Sequence, residues 1–188
     1  MVKQPRAGQV KTRLGRDIGM TAAAWWFRHQ VGALLRRIED PRWQTVLAVA
    51  ADRDGMIHPW PAHLARIPQG RGDLGARMGR IMRGAPPGPV CIIGADIPGV
   101  TRAHIARAFA ALGNHDAVFG PAPDGGYWLV GLKRAARMPP TLFQDVRWST
   151  EHALSDTIAG LPDARIAMVD KLRDVDRAVD LEALCKSV

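Results

Sequence analysis

Apolar positions follow two rhythms along the chain, one of helical period and one of short continuous runs, and the two alternate. From Thr21 the spacing is helical. Ala22, Trp25, Trp26, Ala33, Leu34 and Ile38 share one broad face, Thr21 is placed to cap the first turn, and Asp40-Pro41 ends it. Thr45-Val46-Leu47-Ala48-Val49-Ala50 is a run short enough for a buried strand, closed by the polar turn Asp52-Arg53-Asp54-Gly55 and a loop rich in Pro and His. A short strand follows near Ala65-Arg66-Ile67-Pro68, then a helix over 73–83 that Asp73 can cap. Pro89-Val90-Cys91-Ile92-Ile93, compact and β-branched, predicts a strand buried on both faces, and 101–112 predicts a helix. Residues 116–120 and 127–132 read as two strands around Asp124-Gly125-Gly126. A helix over 150–161, a strand over 165–169 and a terminal helix over 179–184 complete the order.

Strands separated by helices of this length imply an α/β protein. The expected architecture is a single three-layer domain over residues 1–188, with a mixed, mostly parallel sheet covered on both faces. The first strand of such a domain is expected to be very short or truncated, because only Met1 and Val2 precede Lys3. Trp25 and Trp26 are adjacent on one helix and cannot both point into the core, which leaves a core-rim position or a partner surface, such as that of a homo-oligomer, for one of them.

Composition changes this picture in one respect. Hydrophobic content of 47% and charged content of 23% are ordinary, whereas the net charge of +8 is high. It fits an anionic partner: nucleic acid, an anionic surface or a phosphorylated small molecule. The cations are scattered, and with one Tyr in the chain there is no aromatic array for stacking bases, which argues against nucleic acid. No apolar run is long enough to span a bilayer. Cys91 and Cys185 lie far apart without metal-ligand spacing, the expectation for a reduced, cytoplasmic protein. The six histidines lack zinc-ligand spacing, and Ser149 lacks the setting of a nucleophile elbow.

Candidate chemistry collects in a few segments. Asp96, in Gly94-Ala95-Asp96-Ile97-Pro98-Gly99, follows an apolar strand, at the kind of strand end where α/β sheets collect ligands, and a carboxylate there suits a divalent metal holding a diphosphate. Lys3, Arg6, Lys11 and Arg13 place four cations in the segment Lys3 to Leu14, where Gly8 permits a tight turn. That is either a phosphate-binding loop or a solvated basic terminus. Gly70, Gly72 and Arg77 belong to a Gly-rich loop entering a helix, which could receive an anion or the edge of a base. Asp124-Gly125-Gly126-Tyr127 is a hairpin turn by its composition, or an acceptor-side carboxylate with Asp124 as base. Asp170, Asp174, Asp176 and Asp180 form an acidic cluster near the end. Alternation puts Asp174 and Asp176 on one side of an extended segment, while Asp180 is placed to cap the last helix.

Taken in order, these segments resemble a known family. K-x-P-x-x-G-x-V-K-T-R-L at Lys3 to Leu14, G-x-G-D-L-G-x-R-M at Gly70 to Met78, G-A-D-I-P at Gly94 to Pro98, G-P-A-x-D-G-G-Y-W-L-V-G-L at Gly120 to Leu132, W-S-T at Trp148 to Thr150 and D-V-D-x-x-x-D-L at Asp174 to Leu181 look like the blocks of bacterial glycosyltransferase-A-like proteins classed as a domain of unknown function. Some members are named arsenosugar-biosynthesis glycosyltransferases. A wider similarity reaches phospholactate guanylyltransferases and molybdenum-cofactor nucleotidyltransferases. The resemblance implies a nucleotide-diphosphosugar transferase fold in which Lys3, Gly8, Lys11 and Arg13, with Gly70, Gly72 and Arg77, handle the nucleotide and its phosphates. It implies Mg²⁺ or Mn²⁺ on Asp96 with Asp174 or Asp176, and a sugar or acceptor half formed by Asp124, Gly125, Gly126 and Tyr127. The expected activity is metal-dependent glycosyl transfer from a nucleoside diphosphate sugar to a small-molecule acceptor, with Lys11 stabilising charge and Asp124 activating the acceptor. The alternative is nucleotidyl transfer from a nucleoside triphosphate with release of pyrophosphate, and the third reading is a basic nucleic-acid-binding module.

Overall fold

A computed structural model describes residues 1–50, 60–134 and 138–185. The Asp52–Gly55 turn and most of the Pro- and His-rich loop lie outside the described residues. The chain divides into two compact units: Met1–Pro68 with Ala95–Val100 and Arg173–Val188, and Gln69–Gly94 with Thr101–Leu172.

The first unit opens with helices α1 (Thr12–Ile18) and α2 (Met20–Ile38), separated by Gly19. Gly19 has φ 93°, a backbone conformation open to glycine, and this break fixes where α2 begins. Thr21 is therefore inside the first turn of α2, and the expected Thr21 cap is replaced by Gly19. The buried stripe of α2 is Ala23, Ala24, Phe27, Gln30, Val31, Leu34, Leu35 and Ile38. That corrects the expected face: the stripe through Ala23, Phe27, Val31, Leu34 and Ile38 keeps helical period unbroken and turns Ala22 and Trp25 to the surface. Trp25 is 57% exposed, stacked on His29, while Trp26 packs on a core cluster of Leu14, Ala23 and Val175. Strands β1 (Val46–Val49) and β2 (Ala65–Pro68) pair in parallel. Val2 bridges Val49 in parallel through Val2 N–H to Ala48 O (2.8 Å) and Ala50 N–H to Val2 O (2.9 Å), so the expected first strand is a one-residue bridge.

The second unit contains α3 (Leu74–Gly84), β3 (Val90–Ile93), α4 (Arg102–Ala111), β4 (Ala117–Pro121), β5 (Tyr127–Leu132), α5 (Ala153–Ala159) and β6 (Ile166–Met168). Its sheet has the order β3-β5-β4-β6. β5 runs antiparallel to both neighbours and β4 is parallel to β6, so β3, β4 and β6 share one direction. The expected mixed sheet is what forms, with two of its three pairings antiparallel and three of its four strands pointing one way. β4 and β5, a hairpin in its middle, carry the deepest core: Val118, Phe119, Leu129 and Val130. The expectation that the 89–93 strand is buried on both faces is not met. Among the described residues β3 stands at one end of the strand order, and of its residues only Ile92 is buried. The last helix, α6 (Ala178–Cys185), returns to the first unit.

Candidate active site

Three segments far apart in sequence meet in the first unit, and a lysine is their centre. Lys11 precedes α1 in a left-handed backbone conformation (φ 46°, ψ 47°), with its carbonyl accepting from Gly15 N–H (2.8 Å). Its side chain is only 6% exposed, and its Nζ lies 2.6 Å from Asp96 Oδ2, 2.9 Å from Asp176 Oδ1 and 3.9 Å from Asp174 Oδ2. Arg13, one residue into α1, donates Nη1 to Asp176 Oδ2 at 2.7 Å. Residues 12–18 are helical, so Thr12, Arg13 and Leu14, expected in a loop, instead open α1.

The acidic side is built by alternation. Val175, 1% exposed, plugs into the core cluster with Leu14 and Ala23, and this fixes Asp174 and Asp176 to the opposite side of the extended chain. Val175 N–H donates to Asp96 O (3.3 Å), tying the two acidic segments by backbone. The three carboxylates remain about a third open to solvent, at 31%, 30% and 34% exposure for Asp96, Asp174 and Asp176.

The electrostatics follow. Burial alone would lower the Lys11 pKa, but the charge and hydrogen bonds of Asp96 and then Asp176 outweigh it and hold the ammonium above the ordinary lysine range. Burial likewise would raise the Asp176 pKa. Its bonds and charge contacts with Lys11 and Arg13 win, and the carboxyl sits below its usual range. The three carboxylates Asp96, Asp174 and Asp176 thus stand around the Lys11 ammonium, with the Arg13 guanidinium on Asp176.

The other acidic residues are used elsewhere. Asp180 accepts from the N–H groups of Asp176 (3.0 Å) and Arg177 (2.9 Å), capping α6 from within its first turn as expected in kind, and Asp17 accepts from Ala178 N–H (3.0 Å). No sequence signal pointed to Asp17. Asp170 belongs to the second unit, where it pairs with Arg107 (2.8 Å) and its carbonyl accepts from Trp128 Nε1 (2.8 Å). Lys3 and Gly8 are exposed in the first unit, and Gly8 has φ 75°.

The remaining candidates lie in the second unit. Asp73 caps α3 by accepting from Ala76 N–H at 2.7 Å. Arg77 donates to Asp73 O (3.0 Å) and to Gln69 Oε1 (3.4 Å), and Arg80 braces the loop through Gln69 O (2.7 Å) and Arg71 O (3.0 Å). Gly70 and Gly72 turn that loop with φ 77° and 105°. Asp124 Oδ1 accepts from Gly126 N–H (3.0 Å), a turn-closing bond. Gly125 has φ 84°, and a Cβ there would lie 2.2 Å from Glu151 O. Tyr127 bonds Thr157 Oγ1 (3.3 Å), and burial pushes its phenol well above the ordinary tyrosine range, so it stays neutral.

Among the described residues, no group of three or more His, Cys, Asp and Glu side chains stands ready to hold a metal ion. The Lys11 ammonium stands among the three carboxylates, which are hard oxygen donors of the kind Mg²⁺ and Mn²⁺ take. The donor chemistry suits such an ion, although the carboxylates as they stand, closed around Lys11, do not form a metal group.

None of the described helices is long and apolar enough to cross a membrane. A crystal structure from Desulfovibrio desulfuricans G20, of a protein provisionally named a nucleotide-diphospho-sugar transferase, superposes with a TM-score of 0.84 at 30% identity, covering 99% of this chain and 84% of that one. The expected nucleotide-diphosphosugar transferase type of fold is therefore the one this chain shares with that protein. No curated protein matches. Residues 34–150, which include Asp96, the Gly70 loop and the Asp124 turn, match a bacterial family described as an uncharacterized protein conserved in bacteria, DUF2064. With more than half its length in that match, the chain belongs to the DUF2064 family.

Proposed function

We propose that this chain is a metal-dependent transferase that takes a glycosyl group from a nucleoside diphosphate sugar. The observation that carries the reading is the convergence of Asp96, Asp174 and Asp176 on Lys11 and Arg13. Three carboxylates held close together disfavour a diphosphate beside them, and a further positive charge among these oxygens offsets that repulsion. Asp96, with Asp174 or Asp176, would hold Mg²⁺ or Mn²⁺, which as a Lewis acid lowers the cost of charge on the departing diphosphate. Lys11 supplies a point charge and Arg13 a planar fork for phosphate oxygens. The likeness to a protein named as a nucleotide-diphospho-sugar transferase supports the same class of donor. Asp124 is proposed as the carboxylate that takes the acceptor's proton, and Gly70, Gly72 and Arg77 as contacts for the nucleotide.

Calorimetry with UDP- and GDP-sugars, with and without Mn²⁺, tests this. The intact chain should bind one of them in a Mn²⁺-dependent way, and Asp96→Ala should lose that dependence. Retained Mn²⁺-dependent binding in Asp96→Ala would refute the assignment. A thermal-shift panel separates the nucleotidyl-transfer reading, which requires stabilisation by triphosphates and not by nucleotide sugars.

A further inference from the structure

We propose that Lys11 occupies the position a divalent ion needs, so that metal enters the carboxylates only as an incoming diphosphate draws the lysine ammonium away. This rests on the proposed function and adds an order of loading to it.

The geometry is the argument. Lys11 Nζ already makes short contacts with Asp96 Oδ2 (2.6 Å) and Asp176 Oδ1 (2.9 Å), with Asp174 Oδ2 at 3.9 Å. An Mg²⁺-sized ion binds carboxylate oxygens at about 2.0–2.1 Å and so needs the space the ammonium fills. Two cations cannot share it, because the charge repulsion is strongest where the side chain is least solvated, and Lys11 is 6% exposed. Lysine is suited to leave: its charge is a point on a flexible four-carbon stem, unlike the fixed fork of Arg13. A diphosphate offers the ammonium new anionic oxygens, while the vacated carboxylates become free for the metal. Each ligand then favours the other, as linkage requires. Losing any cation raises the affinity of these carboxylates for metal. What separates exchange from a plain structural ion pair is whether a nucleotide diphosphate raises Mn²⁺ affinity more with the lysine present than without it.

The test is Mn²⁺ binding to the whole chain without nucleotide, read from the EPR signal of free Mn²⁺, for the native protein, Lys11→Gln and Lys11→Arg. Lys11→Gln should bind Mn²⁺ at least about tenfold more tightly than the native chain, and Lys11→Arg, which keeps the charge, should bind as weakly as native. Unchanged or weaker binding in Lys11→Gln overturns the proposal. So does tighter binding that survives in the double variant Lys11→Gln/Asp96→Asn, since the ion would then sit elsewhere. If Lys11→Gln is too unstable to titrate, the shift of its unfolding temperature on adding Mn²⁺ gives the same reading: a larger rise than in the native chain supports competition, and an equal or smaller one refutes it. UDP should strengthen Mn²⁺ binding by a larger factor in the native chain than in Lys11→Gln; an equal factor refutes the exchange. A chain that binds no nucleotide sugar sinks the transferase reading alone, because the nucleotide-free Mn²⁺ comparison still decides whether lysine and metal compete.

Discussion

The two compact units use the charged residues of their sequence motifs in opposite ways. In the second unit the motif side chains bond close to home: Asp73 to the N–H three residues on, Asp124 to the N–H two residues on, and Arg80 to a carbonyl eleven residues back. In the first unit, Lys11 reaches Asp176 across 165 residues and Arg13 reaches the same carboxylate across 163. A turn or a cap explains a local bond completely. It does not explain why one buried ammonium gathers three carboxylates from two distant segments. The contrast separates residues that make the backbone bend from residues that hold a charge ready.

The comparison predicts a different kind of damage in each unit. The largest effect should come from Gly125→Ala, in the second unit. Alanine at φ 84° costs about 1–2 kcal/mol by itself, and its Cβ would strike the Glu151 backbone, adding about 1–3 kcal/mol of overpacking. Urea unfolding should show a loss of about 3 kcal/mol, and a loss under about 1 kcal/mol would mean the hairpin tolerates a side chain there. Next is Asp96→Asn in the first unit, expected to cost about 2 kcal/mol, the scale of a hydrogen bond to a charged group. Relief of repulsion from Asp174 and Asp176 keeps this below the cost of orphaning a fully buried charge. Stability equal to native would show that Lys11 is satisfied by Asp176 alone.

These expectations also show what local pattern can reveal. β2 lies where the residues 65–68 place it, and α3 and α4 match their expected spans within a residue, because apolar spacing and caps such as Asp73 are local. α1 was not legible. Seven residues interrupted by Gly15 and ended by Gly19 carry no long apolar stripe, and the basic residues dominate the pattern. The terminal place of β3 in the strand order of the described residues was hidden as well, since strand order is decided by pairing partners rather than by the strand's own residues. At the candidate site, alternation around Val175 placed Asp174 and Asp176 on one side, as the structure has them. Sequence separated Lys11, read as a phosphate cation, from the acids, read as metal ligands. That they touch depends on contacts across most of the chain, which no window of sequence contains.

A smaller effect sharpens the local half of the comparison. Asp73→Ala removes the acceptor for Ala76 N–H and should cost about 1 kcal/mol, the usual worth of an N-cap. Because α3 and its loop are also braced by Arg80, the loss should stay close to that figure in urea unfolding. A loss near 3 kcal/mol would show that Asp73 supports more than its own helix.

The smallest expected effect concerns an ion pair of the second unit that is local and, on its arginine side, open to water. Arg147 grips Asp156 through Nε (2.9 Å) and Nη2 (2.8 Å), and its backbone N–H adds a third bond (3.0 Å). These bonds, the side-chain fork first, hold the Asp156 carboxyl well below its ordinary range. A depressed carboxyl pKa means the folded state resists the proton more than the unfolded chain does. The stabilisation is therefore complete above about pH 4 and is lost as pH falls through the folded-state value. Asp156→Asn should be less stable than native at neutral pH, and the difference should shrink steadily below about pH 4. Salt should shrink it too, since Arg147 is 59% exposed. A difference that stays constant down to about pH 2.5 would mean that the bonds to Asp156 act as neutral hydrogen bonds, and that charge in the second unit, unlike that around Lys11, contributes nothing beyond geometry.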